Sequence, residues 1–231
     1  MHDFQCSNES SCDEKAVSFN STIIIPNSSQ STFPADLSGR IFVKNMYMTN
    51  TTRAVYNPAQ KDTAIFIETV QETNGAYSLL EVIVAPGGGV GKHYHKTYTE
   101  TFTCLEGELQ VQAGKQVFTL KPGDAPVTAG IDVLHRFFNT SDKPCRFSVL
   151  ISPGSRGFEE SVQIAYGLAR DGRTNKEGTP SKIGHLGILL ALSESKLPGW
   201  QGMIESVLLW IGKRADKKGV TDQLRKEYVK I

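Results

Sequence analysis

The sequence predicts an all-β fold, an antiparallel β-barrel that is followed by a helical extension. Short segments rich in Val, Ile, Phe, Tyr and Thr recur through the middle of the chain, and turn formers such as Asn74-Gly75 and Pro122-Gly123 separate them. Many short strands at this spacing are typical of sandwiches and barrels. The predicted strands are Thr63–Val70, Ala76–Ala85, Thr99–Leu105, Leu109–Ala113, Gln116–Leu120, Leu134–Asn139 and Arg146–Ile151.

Composition divides the chain into three predicted regions. Residues 1–35 are rich in Ser, Asn and Thr, and we expect an N-terminal arm with one candidate strand at Ile23-Ile24-Ile25. Residues 36–155 are predicted to form the barrel. Residues 156–231 change to a helical pattern and are expected to pack on the barrel. The predicted helices are Phe158–Arg170, Ile183–Ser195, Gly199–Arg214 and Thr221–Val229.

The third predicted helix has one strongly apolar face. Its apolar residues recur three or four positions apart, which places them on a common face of a helix. They are Trp200, Met203, Ile204, Val207, Leu208 and Ile211. We expect this face to pack against the outside of the barrel, and a lid or a membrane-surface helix is the alternative.

Charge and composition narrow the classes of partner. The 231 residues contain 25 Lys and Arg against 24 Asp and Glu, so the net charge of +1 indicates neither a nucleic-acid partner nor an anionic surface. No apolar run approaches the length of a membrane span. The N-terminus does not show the charged start and apolar stretch of a secretory signal, so we expect a cytoplasmic protein with reduced cysteines. The expected partner is a small-molecule substrate or ligand. A Cys6–Cys12 disulfide is the alternative for the arm.

Four side chains are candidate ligands of one divalent transition metal. His93 and His95 alternate on a predicted strand, so their imidazoles point to the same face. Glu100 follows five residues later, and a later strand can bring His135 opposite them. Imidazole and carboxylate ligands suit Fe, Mn, Ni, Cu or Zn and do not choose among them. His185 lies in the helical region, outside both groups of ligands, where a surface or capping role is expected.

Strand parity also predicts what surrounds these ligands. Phe102, Cys104 and Phe137 share the inward parity and are predicted to line the substrate pocket. Tyr98 has the same parity as Glu100 and is expected to supply a hydroxyl at the pocket rim. Glu100 and Tyr98 are therefore the predicted catalytic residues. Cys104 is interpreted as a buried structural thiol, because nothing near it in the sequence would lower its pKa.

The segment that carries the ligands resembles the cupin superfamily. Residues 87–107 contain the first cupin motif at every anchor, which are Gly87, His93, His95, Glu100 and Gly107. The second motif is looser. It runs from Gly123-Asp124 through Gly130 to His135 and Asn139, with Ala129 where the family has proline. The resemblance covers about residues 62–151. It implies a double-stranded β-helix, or jelly-roll, barrel similar to the quercetin-dioxygenase-like group.

The resemblance leaves three hypotheses for the function. The first is a metal-dependent dioxygenase that cleaves a small organic substrate, with Glu100 as both ligand and proton acceptor. The second is a non-oxidative isomerase, lyase or cyclase that uses the metal as a Lewis acid. The third is a small-molecule binding or sensing protein, since the fold does not decide the activity. Similar cupins form homodimers by exchanging N-terminal strands, and Ile23-Ile24-Ile25 is the predicted exchanging segment.

Overall fold

The structure is a computed structural model that describes residues 53–231. The predicted N-terminal arm, its candidate strand at residues 23–25 and the start of the predicted barrel region, residues 36–52, lie outside the described residues. The expectation of strand exchange by the arm therefore remains a prediction.

Eleven strands are present in the described part of the chain. The strands are β1 (Ala54–Asn57), β2 (Asp62–Glu68), β3 (Ser78–Val84), β4 (Tyr94–His95), β5 (Thr99–Glu106), β6 (Leu109–Ala113), β7 (Gln116–Leu120), β8 (Val127–Ala129), β9 (His135–Phe138), β10 (Cys145–Ser152) and β11 (Ser195–Lys196). All of their pairings are antiparallel. The long strands β3, β5 and β10 alternate between buried and partly exposed side chains, as strands that cover one core do.

The strands form three sheets. The largest has six strands in the order β1-β2-β3-β10-β5-β8, and the second has three in the order β7-β6-β9. The third is a pair, β11-β4, in which the C-terminal extension adds a strand to the segment that carries His95. β10, late in the chain, lies between β3 and β5, as a double-stranded β-helix requires. The predicted fold class is confirmed.

Seven of these strands correspond to the predicted segments, with ends that differ by one or two residues. Three strands were not predicted, namely β1, β8 and β11, and β4 is only the end of the strand predicted for His93 and His95. Each has only two to four residues. A segment that short carries too few residues to show a period of two, and its strand conformation depends on a partner distant in sequence.

Five helices lie after β10 in residues 53–231, and β11 lies between the second and the third of them. They are α1 (Arg156–Arg170), α2 (Ile183–Ser193), α3 (Trp200–Met203), α4 (Glu205–Asp216) and α5 (Val220–Tyr228). The hydroxyl oxygen of Ser155 accepts a hydrogen bond from the Phe158 N–H, which caps the start of α1. None of the helices in residues 53–231 combines the length and the apolar character that a membrane crossing requires.

The expectation that the third predicted helix packs on the barrel is wrong. That segment is α3 and α4, and α4 packs against α2 instead. The two helices approach closely because Gly187 and Gly212 face each other, so that a Cβ on Gly187 would lie 2.1 Å from the Leu208 carbonyl oxygen. Among the residues of the predicted apolar face whose side chains the structure describes, only Leu208 is fully buried, while Met203 and Val207 are exposed.

Two apolar cores stabilise the described part of the chain. The first fills the space between the sheets, where Phe66, Phe102 and Phe147 are completely buried. The second joins the helices through Ile164, Leu168 and Leu224, among others. Burial of such side chains is the main stabilising term for a domain of this kind. The helical extension is thus a packed part of the fold with a core of its own.

Candidate metal centre

The structure brings the four predicted metal ligands together from separate strands. Glu100 lies on β5 in the six-stranded sheet, and His135 lies on β9 in the three-stranded sheet. The backbone of His93 pairs with that of His135, with one hydrogen bond in each direction. His95 lies on β4. The two facing sheets therefore meet at this cluster.

The donor atoms of the four side chains all lie within 4.8 Å of one another. Nε2 of His95 is 3.1 Å from one carboxylate oxygen of Glu100, and Nε2 of His135 is 3.4 Å from the other. His95, Glu100 and His135 are almost completely buried, and His93 is partly buried. Two ligands on opposite sides of an ion lie about 4.2 Å apart, since each metal–ligand distance is about 2.1 Å.

Backbone and hydroxyl groups orient the three imidazoles. Nδ1 of His93 donates to the Gly91 carbonyl, and Nδ1 of His135 donates to the Val133 carbonyl, each at 2.8 Å. A carbonyl oxygen only accepts, so the proton of each neutral ring is on Nδ1 and the Nε2 lone pair is free. Nδ1 of His95 has a longer contact, 3.4 Å to the Ser195 hydroxyl. Such outer partners commonly fix the tautomer of metal-binding histidines.

The buried residues of the cluster shift the pKa values of one another. Burial alone would raise the pKa of Glu100, but the imidazoles of His135 and His95 outweigh it and hold that pKa well below its ordinary value. Burial, together with the neighbouring His135, lowers the pKa of His93 to about 4. At neutral pH the structure thus favours an ionised carboxylate and a neutral His93, the states in which these groups bind metals.

These residues fit a divalent metal. Nε2 of His95 and of His135 is buried and makes no hydrogen bond, although both atoms lie near the Glu100 carboxylate. Buried polar atoms without partners are uncommon in folded proteins, and a cation between them would satisfy both nitrogens and the carboxylate. Three imidazoles and one carboxylate are a donor set for transition metals, and the set does not select one of them.

A cavity of about 310 Å³ lies beside the cluster and is lined by His93, His95 and Glu100. Its remaining wall is mostly apolar. The barrel contributes Ala64, Leu80, Val82, Phe137 and Val149, and the helices contribute Phe158, Val162, Ala165, Tyr166 and Leu189. The polar groups at its edge include Gln60, Lys92, Ser161, Ser193 and Ser195. A concave, largely apolar space with a few polar groups is typical of a small-molecule site.

Tyr98 is not placed with its hydroxyl at the pocket rim. Its ring stacks on His95 with 4.3 Å between the ring centres, and its hydroxyl donates to the Ser193 carbonyl at 2.7 Å. Burial raises the pKa of Tyr98 far above its ordinary value. Ser193 is the last residue of α2. The structure therefore gives Tyr98 a contact that supports His95 and connects the barrel to α2.

Of the three predicted pocket residues, Phe102 and Cys104 are buried and Phe137 is partly buried, and only Phe137 lines the cavity. Phe102 lies behind the ligands, with its ring centre 6.2 Å from that of His135. Cys104 lies further along β5, where its sulfur is 3.7 Å from the carbonyl oxygens of Glu106 and Gly107. Burial raises the pKa of the Cys104 thiol, which agrees with a structural cysteine.

The helical extension contributes the cavity residues that the sequence analysis missed. α1 and α2 cover the apolar end of the cavity, and β11 brings Ser195 to His95. No local pattern indicated these contacts, because the residues lie between 23 positions (His135 to Phe158) and 102 positions (His93 to Ser195) after the ligands. His185 is a further correction, since it is buried on α2, away from the cluster, and not at the surface.

Residues 80–152 match the family model described as "Cupin domain". The chain is 34% identical to the polyketide synthase CurC of Streptomyces cyaneus over 85 residues, which are 37% of this chain and 53% of that protein. It is 35% identical to quercetin 2,3-dioxygenase of Bacillus subtilis over 54 residues, which are 23% of this chain and 16% of that protein. The chain thus spans about half the length of the first of these relatives and less of the second.

Among solved structures, the polyketide cyclase RemF of Streptomyces resistomycificus matches with a TM-score of 0.39 and 20% identity, covering 45% of this chain and 75% of that one. The family match spans β3 to β10 and contains all four residues of the cluster. The motif residues, the double-stranded β-helix and the matching family model agree that residues 80–152 of this chain form a cupin domain.

Proposed function

We propose that this protein is a metal-dependent dioxygenase that cleaves a small organic substrate in the barrel cavity. One observation carries the proposal: three imidazoles and one carboxylate converge at one end of a cavity whose other walls are apolar. Such a site would bind the oxygen atoms of a substrate at the polar end and its carbon skeleton at the apolar end.

The roles of the residues follow from their positions. His93, His95, Glu100 and His135 would hold the metal. A redox-active ion bound there would supply the Lewis-acid and electron-transfer chemistry that reaction with dioxygen requires. The depressed pKa of Glu100 favours its role as an anionic ligand, and its second predicted role, as proton acceptor, stays a prediction.

The rest of the cavity would bind and shield the substrate. Phe137, Val82 and Val149 offer apolar and aromatic contacts, and the apolar residues of α1 and α2 that line the same cavity would limit the access of water. Lys92 is exposed at the edge of the cavity and is the residue placed to attract an anionic substituent. A water-poor site strengthens each polar contact that the metal end makes.

Oxygen consumption tests the proposal. Protein purified without chelators would be loaded with iron(II), manganese(II), nickel(II), copper(II) or zinc(II), and oxygen uptake would be followed on addition of phenolic and diketone compounds. We expect uptake with at least one redox-active ion and none with zinc. Glu100→Gln should abolish it, whereas Glu108→Gln, a carboxylate outside the cluster, should not. Metal binding and substrate turnover without oxygen uptake would contradict the dioxygenase assignment.

The second candidate is a non-oxidative cyclase. It is supported by the similarity to a polyketide synthase, which this chain matches over a longer segment than the dioxygenase. The same metal end would then stabilise an enolate as it forms, and the apolar cavity would fold the substrate. Turnover that persists under nitrogen with zinc would establish this activity. Tight binding of such compounds without turnover under either condition would favour a binding or sensing protein.

A further inference from the structure

The α3–α4 segment carries an apolar face that the helical core does not cover. Met203 is 84% exposed, Val207 is 55% exposed and Trp210 is 53% exposed. These are among the most exposed large apolar side chains in the described part of the chain. Isolated exposed apolar residues are ordinary on a protein surface, but a contiguous group of them marks an interaction site.

The three residues share one face. They are separated by four and three positions, which places them next to one another along a helix. Ile204, at the junction of α3 and α4, has φ −90° and ψ −4°, so the chain passes from one helix to the other without leaving the helical region. The face continues by the same spacing to Arg214 and Lys217. We call the group formed by Met203, Val207, Trp210, Arg214 and Lys217 the α4 face.

The far end of the α4 face is cationic. Lys213, Arg214, Lys217 and Lys218 are all exposed, and Asp216 is the one acidic residue in that stretch. The Arg214 guanidinium lies over the Trp210 ring at 3.9 Å. Glu205 does not offset this charge, because it is buried and paired with Lys196. The face thus combines apolar side chains, a tryptophan and a group of positive charges.

We propose that the α4 face docks on an anionic lipid surface. Apolar side chains with Trp on one face of a helix, flanked by Lys and Arg, are the features by which helices bind in the plane of a membrane interface. Each exposed cation adds attraction to acidic lipid head groups. A second copy of this chain suits the face less well, because a symmetric contact would bring the two cationic ends or their neighbours together.

The proposal has a consequence for access to the cavity. Leu197, six residues before Met203, lines the cavity, and the pairing of Lys196 with Glu205 holds this segment to the start of α4. Docking through the α4 face would therefore hold a segment that lines the cavity close to the lipid, where apolar compounds dissolve.

Co-sedimentation of the full-length protein with vesicles tests the proposal. We expect binding to phosphatidylcholine vesicles that contain phosphatidylglycerol, weak binding to pure phosphatidylcholine, and release at high salt. Val207→Ser should weaken the partition by about tenfold, as loss of one buried valine implies. Val117→Ser is the matched control, because Val117 on β7 is 56% exposed and lies away from the helices.

Charge reversal provides the second arm. The double variant Arg214→Glu and Lys217→Glu should weaken binding by roughly twentyfold or more, since each cation near an anionic surface contributes about fivefold. Lys115→Glu with Lys143→Glu changes the net charge equally at exposed positions of the barrel and should have a small effect. An equal loss of vesicle binding in the two double variants, or no vesicle binding by the wild type, would overturn the proposal. It would also be overturned if the wild type were a dimer that Val207→Ser converts to a monomer.

Discussion

The Ser195 hydroxyl lies 3.4 Å from Nδ1 of His95, and the two residues are directly paired in the β11–β4 ladder. A residue of the C-terminal extension thus contacts a predicted metal ligand one hundred positions earlier in the chain. His93 and His135 receive the corresponding contact from carbonyl groups two residues before them. His95 is the one ligand histidine whose Nδ1 contact is made by the extension.

Replacement of Ser195 by alanine should therefore weaken metal binding without unfolding the protein. We expect a loss of up to about tenfold in metal affinity, at the low end for outer partners because the contact is long. The visible spectrum of the cobalt(II)-loaded protein should shift as His95 reorients. Ser206→Ala, at an exposed position on α4, is the control and should leave both the affinity and the spectrum unchanged. An unchanged affinity and spectrum in Ser195→Ala would remove this role.

Tyr98→Phe distinguishes a structural tyrosine from a catalytic one. The substitution removes the hydrogen bond to the Ser193 carbonyl but keeps the ring that stacks on His95. We expect a loss of about 1 kcal/mol in the free energy of unfolding. Turnover at saturating substrate should stay within about twofold of wild type, because the hydroxyl is bonded to the Ser193 carbonyl and Tyr98 does not line the cavity. A fall in kcat of a hundredfold or more, with stability unchanged, would restore the catalytic role predicted from the sequence.

Gly89 and Gly91 offer a matched pair in the loop that leads to His93. Gly89 has φ +147°, and a Cβ there would lie 2.6 Å from the Phe137 carbonyl oxygen. A Cβ on Gly91 would meet nothing within 4 Å. Gly89→Ala should therefore lower the free energy of unfolding by about 2 kcal/mol or more. Gly91→Ala should change it by less than about 1 kcal/mol. Chemical denaturation of both variants checks the difference.

Asp62 makes the stability of the barrel depend on pH. Its carboxyl is buried, accepts a hydrogen bond from Tyr166 at 2.9 Å and has a second oxygen without a partner. Burial raises the pKa of Asp62 from 3.8 to about 7. Between these two values the folded state retains a proton that the unfolded state has lost. Ionisation is therefore costlier in the folded protein, and stability falls as the pH rises through this window.

Asp62→Asn should remove that dependence. The difference in unfolding free energy between the variant and the wild type should grow in favour of the variant by roughly 2–4 kcal/mol from about pH 4 to about pH 8. Denaturation curves across this range measure it. Asp142→Asn, at an exposed loop position, serves as the control. A difference that does not change with pH, or that changes in the opposite direction, would contradict a raised pKa at Asp62.

Much of the cluster could be predicted from the sequence because it depends on local geometry. The alternation of side chains along a strand places His93 and His95 on one side, and it correctly predicts that Phe102 and Cys104 point inward. The alternation shows which side of the strand a residue faces, but it does not show how far along the strand the residue lies from the cavity. Cys104 lies four residues beyond Glu100, about 13 Å along an extended strand, so it points inward but lies away from the cavity.

The cover over the cavity could not be predicted in the same way. The contacts of Tyr166, Leu189 and Ser195 with the barrel depend on how α1 and α2 cross its end. The expectation for α4 was wrong for a related reason. A helical period identifies an apolar face, but it does not say whether the barrel, another helix or a partner covers that face. Here α2 packs closely against α4 at Gly187 and Gly212, and most of the predicted apolar face that the structure describes is left uncovered.

The binding of a metal by the four clustered side chains is tested most directly by titration of the metal-free protein with cobalt(II), with affinity and stoichiometry both measured. We expect one ion per chain and a loss of about a hundredfold or more in affinity for His135→Asn and Glu100→Gln. His185→Asn, a buried histidine outside the cluster, should bind as the wild type does. Binding of the ion with equal affinity by His135→Asn and the wild type, or no binding by either, would contradict the metal centre.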